Sequence, residues 1–183
     1  MHAQMTPSSC GIAAALAIAS RHRGEMQWYT SADSSRVKVA QKRLHAFAAT
    51  RMGAHWPEKL GTAPWALQHM LETATGRRYR PYLWNRDTIG RVRNALDAQD
   101  DIVLYTGGNT LPATLARFDI VSRHVVTLRA GAGTGVIVFD PATGTDHRMS
   151  WDRFVDLSRS PRKVPAFGNW RRVTLALIPD KHD

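Results

Sequence analysis

A chain of 183 residues that is 43% apolar and 22% charged is long enough to bury a core as one domain and too apolar to stay disordered. Its single cysteine, Cys10, excludes an internal disulfide framework, and no stretch reaches the roughly 18 apolar residues a membrane-spanning helix needs. The formal net charge of +10 calls for an acidic partner, whether nucleic acid, anionic lipid, an acidic polymer or an acidic protein, and does not choose among them.

Ser8 or Ser9 can cap a first helix that carries Cys10 in its opening turn, runs through Ile12, Leu16 and Ile18 and stops at Gly24. Its alanines are apolar on every side, which marks a central, close-packed helix. Residues 11–20 have the size of a signal-peptide core. However, no Lys or Arg precedes them, and Arg21 and Arg23 follow, which reverses the usual order. The expectation is therefore a soluble protein without a signal peptide, cytoplasmic or delivered into a target cell's cytoplasm, and not inserted in a membrane.

In "SSRVKVAQKRLHAFAA", Val37, Ala40, Leu44 and Phe47 recur at helical spacing. "MGAHWPEKLGTAP" reads as a loop. "PWALQHMLETATG" reads as a helix opened by Pro64 and closed by Gly76. "DTIGRVRNALDAQD" reads as another, with Ile89, Val92 and Leu96 on one face. The pattern then changes. "DIVLYTGG", "HVVTLRAG", "GVIVFDP" and "WRRVTLALIP" are β-rich runs bounded by Gly, Pro or Asp, with "GAGTG" as a hairpin turn between the second and third. Helices followed by a meander of strands give an α+β fold, a C-terminal antiparallel sheet packed on the leading helix, as a single domain over residues 1–183.

A thiol at a helix N-terminus is helped to ionise by free N–H groups and the helix dipole, and a neighbouring imidazole helps more. His2 and His182 lie at the termini, His22, His45, His55 and His69 lie in charged helical or loop stretches, and His147 lies in "GTDHRM", which reads as an exposed turn. His124 instead opens a strand, where it can project into a cleft or simply be a satisfied strand-edge histidine. Asp140 ends the strand across the hairpin, so the two side chains can meet; "DP" is also an ordinary strand-ending turn. The Cys10 N–H can donate to an oxyanion, and the Gln4 amide can supply a second donor or be only a polar terminal residue.

Gln4, "CG" opening a small-residue helix, a distant "HVV" strand and then "VFDP" together resemble the papain-like cysteine peptidases, in particular the bacteriocin-processing (double-glycine leader, C39-like) family. "PWALQHMLETATGRRY", "IGRVRNALDAQDDIVLYTGG" and "MSWDRFVDL" resemble further segments of that family, so the likeness spans residues 4 to about 157. It implies a papain-like fold with a nucleophile on the central helix. It also implies Cys10 as nucleophile, His124 as base and acid, Asp140 as the group orienting His124 and Gln4 as oxyanion donor, in a protease that cleaves peptide bonds of a protein or peptide substrate.

Ser9, Ile12 and Val125 stand where the family often has Asp, Pro and an aromatic residue, and residues 1–183 contain no membrane-spanning transporter segment of the kind that usually follows these peptidases, so a bacteriocin leader is not the expected substrate. A small basic domain of this kind suits a secreted bacterial effector or toxin, with an acidic-surfaced substrate and an acidic immunity or inhibitor protein.

Glutamine deamidation on the same fold is an alternative, because only the leaving amine differs. Nucleic-acid binding through "RRYRPYLWNRDTIGRVR" ranks behind both, since arginines over half-buried Tyr79, Tyr82 and Trp84 explain that stretch equally well. No HExxH, CxxC or His-Asp-His spacing appears, so no metal and no cofactor is expected.

Overall fold

The computed structural model describes residues 2–6, 8–24, 27–51, 62–108 and 122–180. In chain order the elements are α1 (Cys10–His22), α2 (Trp28–Ser31), α3 (Ser34–Arg51), α4 (Pro64–Thr75), β1 (Tyr79–Leu83), α5 (Arg86–Asp97), β2 (Ile102–Gly107), β3 (Ser122–Ala130), β4 (Gly135–Asp140), β5 (Thr145–Ser150), α6 (Trp151–Leu157), a 3-10 turn (Pro165–Phe167) and β6 (Arg172–Pro179). The strands form one sheet in the order β1-β6-β2-β3-β4-β5, antiparallel at every pairing.

Both faces of the sheet are covered. On one, Val103, Tyr105, Val125 and Leu177 pack under α1 and α4. On the other, Ile102, Leu104, Val126 and Leu128 pack with Val92 and Leu96 of α5, Phe154 of α6 and Phe167 of the 3-10 turn. The alternation of β2 between two cores is why "IVLYTG" is an unbroken apolar run and why all six of its residues are buried.

Helix α1 is buried from Cys10 through Ser20 and packs against α4 and β3. Its small side chains make that close approach possible. At Gly11 the fit leaves no room for even a methyl group, since a Cβ there would lie 2.7 Å from Cβ and Oγ1 of Thr62. Gly11→Ala is therefore expected to destabilise the fold by about 1–3 kcal/mol through overpacking, read as a lower denaturant midpoint with an unchanged m-value.

Several local features differ from the sequence reading. Helix α1 ends at His22, not Gly24, because Arg23 turns extended (φ −117°) and sends its guanidinium to the carbonyls of Thr73 and Ala74 at the end of α4. Ser9 holds the N-cap position, but its hydroxyl turns back, accepting from Thr6 N–H and donating to Thr6 O at 3.0 Å each, so it caps no helical N–H.

The aromatic and basic stretch after Gly76 forms β1, paired with β6. As an edge strand it tolerates Pro81. Tyr79 is buried and donates to Asp101 O at 3.0 Å, while the Arg91 guanidinium lies over the Tyr82 ring at 5.0 Å. His147, read as part of a turn, sits in β5 opposite Val138. Most of "MGAHWPEKLGTAP", with His55, lies outside the described residues, as do His182 and much of the stretch before His124. Among the described residues no helix is long and apolar enough to cross a membrane.

Candidate active site

Cys10 is the first residue of α1 and only 4% exposed. The turned-back hydroxyl of Ser9 leaves the first N–H groups of this helix free of any side-chain cap, so their partial positive charge faces the region of the thiol.

His124 and Asp140 are brought together by strand register. The β3–β4 ladder runs from Ala130 opposite Val136 to Thr127 opposite Phe139. Continued by one residue, it sets Asp140 across from Val126, with His124 two residues along on the same face. That is a diagonal cross-strand pair, a gap a long polar side chain spans. His124 Nε2 and Asp140 Oδ1 are 2.6 Å apart, with both residues buried. The carboxylate is fixed in turn. Asp140 Oδ1 also accepts from Ala142 N–H at 2.9 Å, and the Asp140 carbonyl accepts from Gly144 N–H at 2.9 Å. This local turn is the reason an Asp ends β4.

With Nε2 engaged, Nδ1 is the ring nitrogen left for the Cys10 thiol, which interacts with this imidazole. Burial works against a charged His124. The hydrogen bond it donates to Asp140, together with its hydrogen bond and charge interaction with Cys10, outweighs this and raises the pKa from 6.5 to about 9. Tyr105, buried nearby, has its phenol pKa pushed up by burial and by Cys10, and donates to Thr62 O at 3.2 Å.

The back of the imidazole rests on a residue the sequence reading did not single out. Gly168 follows the 3-10 turn with φ +63°, and a Cβ there would lie 2.3 Å from Cδ2 and 2.6 Å from Nε2 of His124. The turn is pinned to the sheet. Buried Thr106, the β2 residue directly opposite His124, donates to Phe167 O at 3.1 Å, and Arg171 N–H donates to Gly107 O at 3.1 Å. In the sequence, Gly168 is visible only as a turn signal in "FGN".

Gln4 lies in the same neighbourhood through its backbone, whose N–H donates to the carbonyl of Pro141, the residue after Asp140, at 2.6 Å. Gln41 of α3, 2% exposed, clamps the chain on either side. Its Nε2 donates to Ala3 O at 3.0 Å and its Oε1 accepts from Met5 N–H at 2.9 Å. Oε1 of Gln4 is buried without a hydrogen-bond partner among the described residues. The fold thus anchors the main chain at Gln4 while leaving its amide oxygen unused. Gln41 carries no signal in the sequence that singles it out.

The other described histidines are placed elsewhere. His22 joins Arg21 on Asp101, at 2.9 Å and 2.7 Å, at the far end of α1, and His2 packs edge-on against Tyr29. Among the described residues no group of three or more His, Cys, Asp or Glu is arranged to hold a metal. Two surface clefts lie apart from Cys10 and His124. One, of about 990 Å³, lies between α5 and the β1–β6 edge. The other, of about 680 Å³, lies alongside β5.

No protein-family model matches the chain, and no curated protein matches it. Among solved structures, the peptidase domain of Streptococcus ComA, a bi-functional ABC transporter of a quorum-sensing pathway, is similar with a TM-score of 0.50 and 17% identity, over 98% of this chain and 97% of that one. A double-glycine-motif protease from an AMS/PCAT transporter, solved in complex with the leader peptide, has a TM-score of 0.44 and 15% identity, over 97% and 89% of the two chains. The arrangement of helices on an antiparallel six-stranded sheet is thus the papain-like fold seen in the ComA peptidase domain.

Proposed function

We propose that the chain is a papain-like cysteine peptidase that hydrolyses peptide bonds in a protein or peptide substrate. The reading rests on the buried His124 imidazole, whose Nε2 lies 2.6 Å from Asp140 Oδ1 and which interacts with Cys10, the first residue of a buried helix. A buried Asp–His pair alone is a common structural device. A third partner that is the sole cysteine, set where the helix dipole favours an anion, is what a thiol nucleophile requires.

The Cys10 thiolate attacks the scissile carbonyl carbon, forming a C–S bond as the carbonyl electron pair moves onto oxygen. The Cys10 N–H and the Gln4 amide stabilise that oxyanion. The His124 imidazolium gives its proton to the departing amine as the C–N bond breaks. Water then attacks the thioester, His124 takes its proton, and the thiol is regenerated with release of the acid. The net charge of +10 suits an acidic-surfaced substrate, and an acidic inhibitor or immunity protein if the domain acts as an effector.

The test is to express the wild type and Cys10→Ala in bacterial cells and compare the proteomes. New N-termini that need Cys10 support the reading. Glutamine-to-glutamate mass shifts in their place would make the enzyme a deamidase, and identical proteomes would leave the hydrolase reading without support.

The raised pKa of His124 fixes a pH profile. The active ion pair needs the imidazolium, which is present below about pH 9, so kcat/KM should fall as pH rises through that value, an apparent constant that belongs to the Cys10–His124 pair. Asp140→Asn removes the carboxylate that raises the pKa and should move this alkaline limb to lower pH. Stability follows the same sign. The folded-state pKa lies above the unfolded value of 6.5, so the contribution of the charged imidazole is fully present below about pH 6.5 and is lost as pH rises through about 9. Thermal melts of the wild type and Asp140→Asn across this window should converge at its alkaline end.

A further inference from the structure

We propose that the cleft of about 680 Å³ between β5 and residues 160–166 is a docking site for an acidic polypeptide segment of a partner protein. The proposal concerns binding alone and holds whether or not the chain is a peptidase.

Four cations line this cleft: Arg148 of β5, Arg153 of α6, and Arg162 and Lys163 of the following loop. The charged group of none of the four makes an ion pair or a hydrogen bond among the described residues. The one acid in the lining, Asp146, is taken by Arg129 at 2.8 Å, and Asp152 and Asp156 of α6 are not part of the lining. Arg77, Arg80 and Arg93, by contrast, are paired with Asp100, Asp180 and Asp97. A group of uncompensated like charges repels itself and creates a local field that an acidic ligand relieves.

Two further features select a polypeptide as the anion. Strand β5 ends the sheet order, and apart from its ladder with β4 no described residue supplies hydrogen bonds to its backbone. An extended segment can add there as a seventh strand, with its acidic side chains reaching the cations. The apolar part of the lining is aliphatic, from Met149, Leu157, Val164, Pro165 and Ala166; beside it stands His147, and no Phe, Tyr or Trp offers a broad ring on which bases could stack. Pro165 and Ala166 belong to the turn whose Gly168 backs His124, so a segment seated here lies against the outer wall of the candidate active site.

The experiment uses the full chain carrying Cys10→Ala, so that binding is not confused with turnover. The probe is a fluorescein-labelled peptide of alternating Glu and Val, followed by anisotropy at low salt. Arg148→Glu/Arg162→Glu should weaken binding by at least about tenfold, Arg148→Gln/Arg162→Gln by less, and Lys38→Glu/Lys42→Glu on exposed α3, with the same change in net charge, by less than about twofold. Hydrogen exchange of the β5 amides should slow when the peptide binds. The proposal is overturned if the two Glu pairs weaken binding equally, if the peptide does not bind the parent protein, or if β5 exchange is unchanged at saturation. It is overturned in favour of nucleic acid if a single-stranded oligonucleotide of equal charge binds more tightly and loses that affinity in the Arg148/Arg162 variants.

Discussion

Cys10→Ala, His124→Ala and the double variant should all fall to the same residual rate, about 10⁴- to 10⁶-fold below wild type in kcat, because a thiol and the imidazole that ionises it act as one unit. Removing the thiol leaves His124 with nothing to activate. Removing the imidazole leaves a buried thiol without the base that charges it or the acid that protonates the leaving amine. The equality is the informative part. Single losses that add up in the double variant would mean that Cys10 and His124 contribute independently, against their shared contact. Steady-state rates on a cleaved substrate from the proteomic comparison would measure this, with circular dichroism to confirm that each variant is folded.

Gly168→Ala should cost about a hundredfold in kcat without the loss of any group that takes part in the chemistry. The added Cβ would sit 2.3 Å from Cδ2 of His124, far inside van der Waals contact. The ring cannot yield freely, because its Nε2 is held at 2.6 Å by Asp140. The turn cannot yield freely either, because Thr106 and Gly107 tie it to β2. One of the two has to shift, and either shift moves the imidazole relative to Cys10. A smaller part of the penalty is backbone, since φ +63° at position 168 costs an L-residue roughly 1–2 kcal/mol. A structural role alone would lower the melting temperature and leave kcat in the surviving folded protein. A positioning role lowers kcat and also shifts the His124 titration away from about 9. Near wild-type kcat with an unchanged titration would show that the turn does not hold the ring.

The main elements could be read from the chain because their signals are local. Helices α1, α4 and α5 repeat apolar residues at helical spacing, Gly76 supplies the left-handed C-cap of α4 (φ 72°), and β2, β3, β4 and β6 are short apolar runs between turn residues. Residues 131–134 form the turn of a simple hairpin, so the meeting of His124 with Asp140 also follows from nearby sequence. Strands β1 and β5 escaped that reading. Both lie at the edges of the sheet and have exposed or half-exposed residues along most of their length. Only pairing with β6 and β4 makes them strands.

Cys10, His124, Asp140 and Gln4 were therefore available from the sequence as candidates, each by residue type, place in an element and likeness to a family. Their support was not. Gly168 behind the imidazole, Gln41 astride Gln4, Thr62 against Gly11 and the unneutralised cations beside β5 come from segments far apart along the chain. A contact between distant segments leaves no periodicity or spacing in one sequence, so only the packed structure, where excluded volume and hydrogen-bond geometry act between them, could decide it.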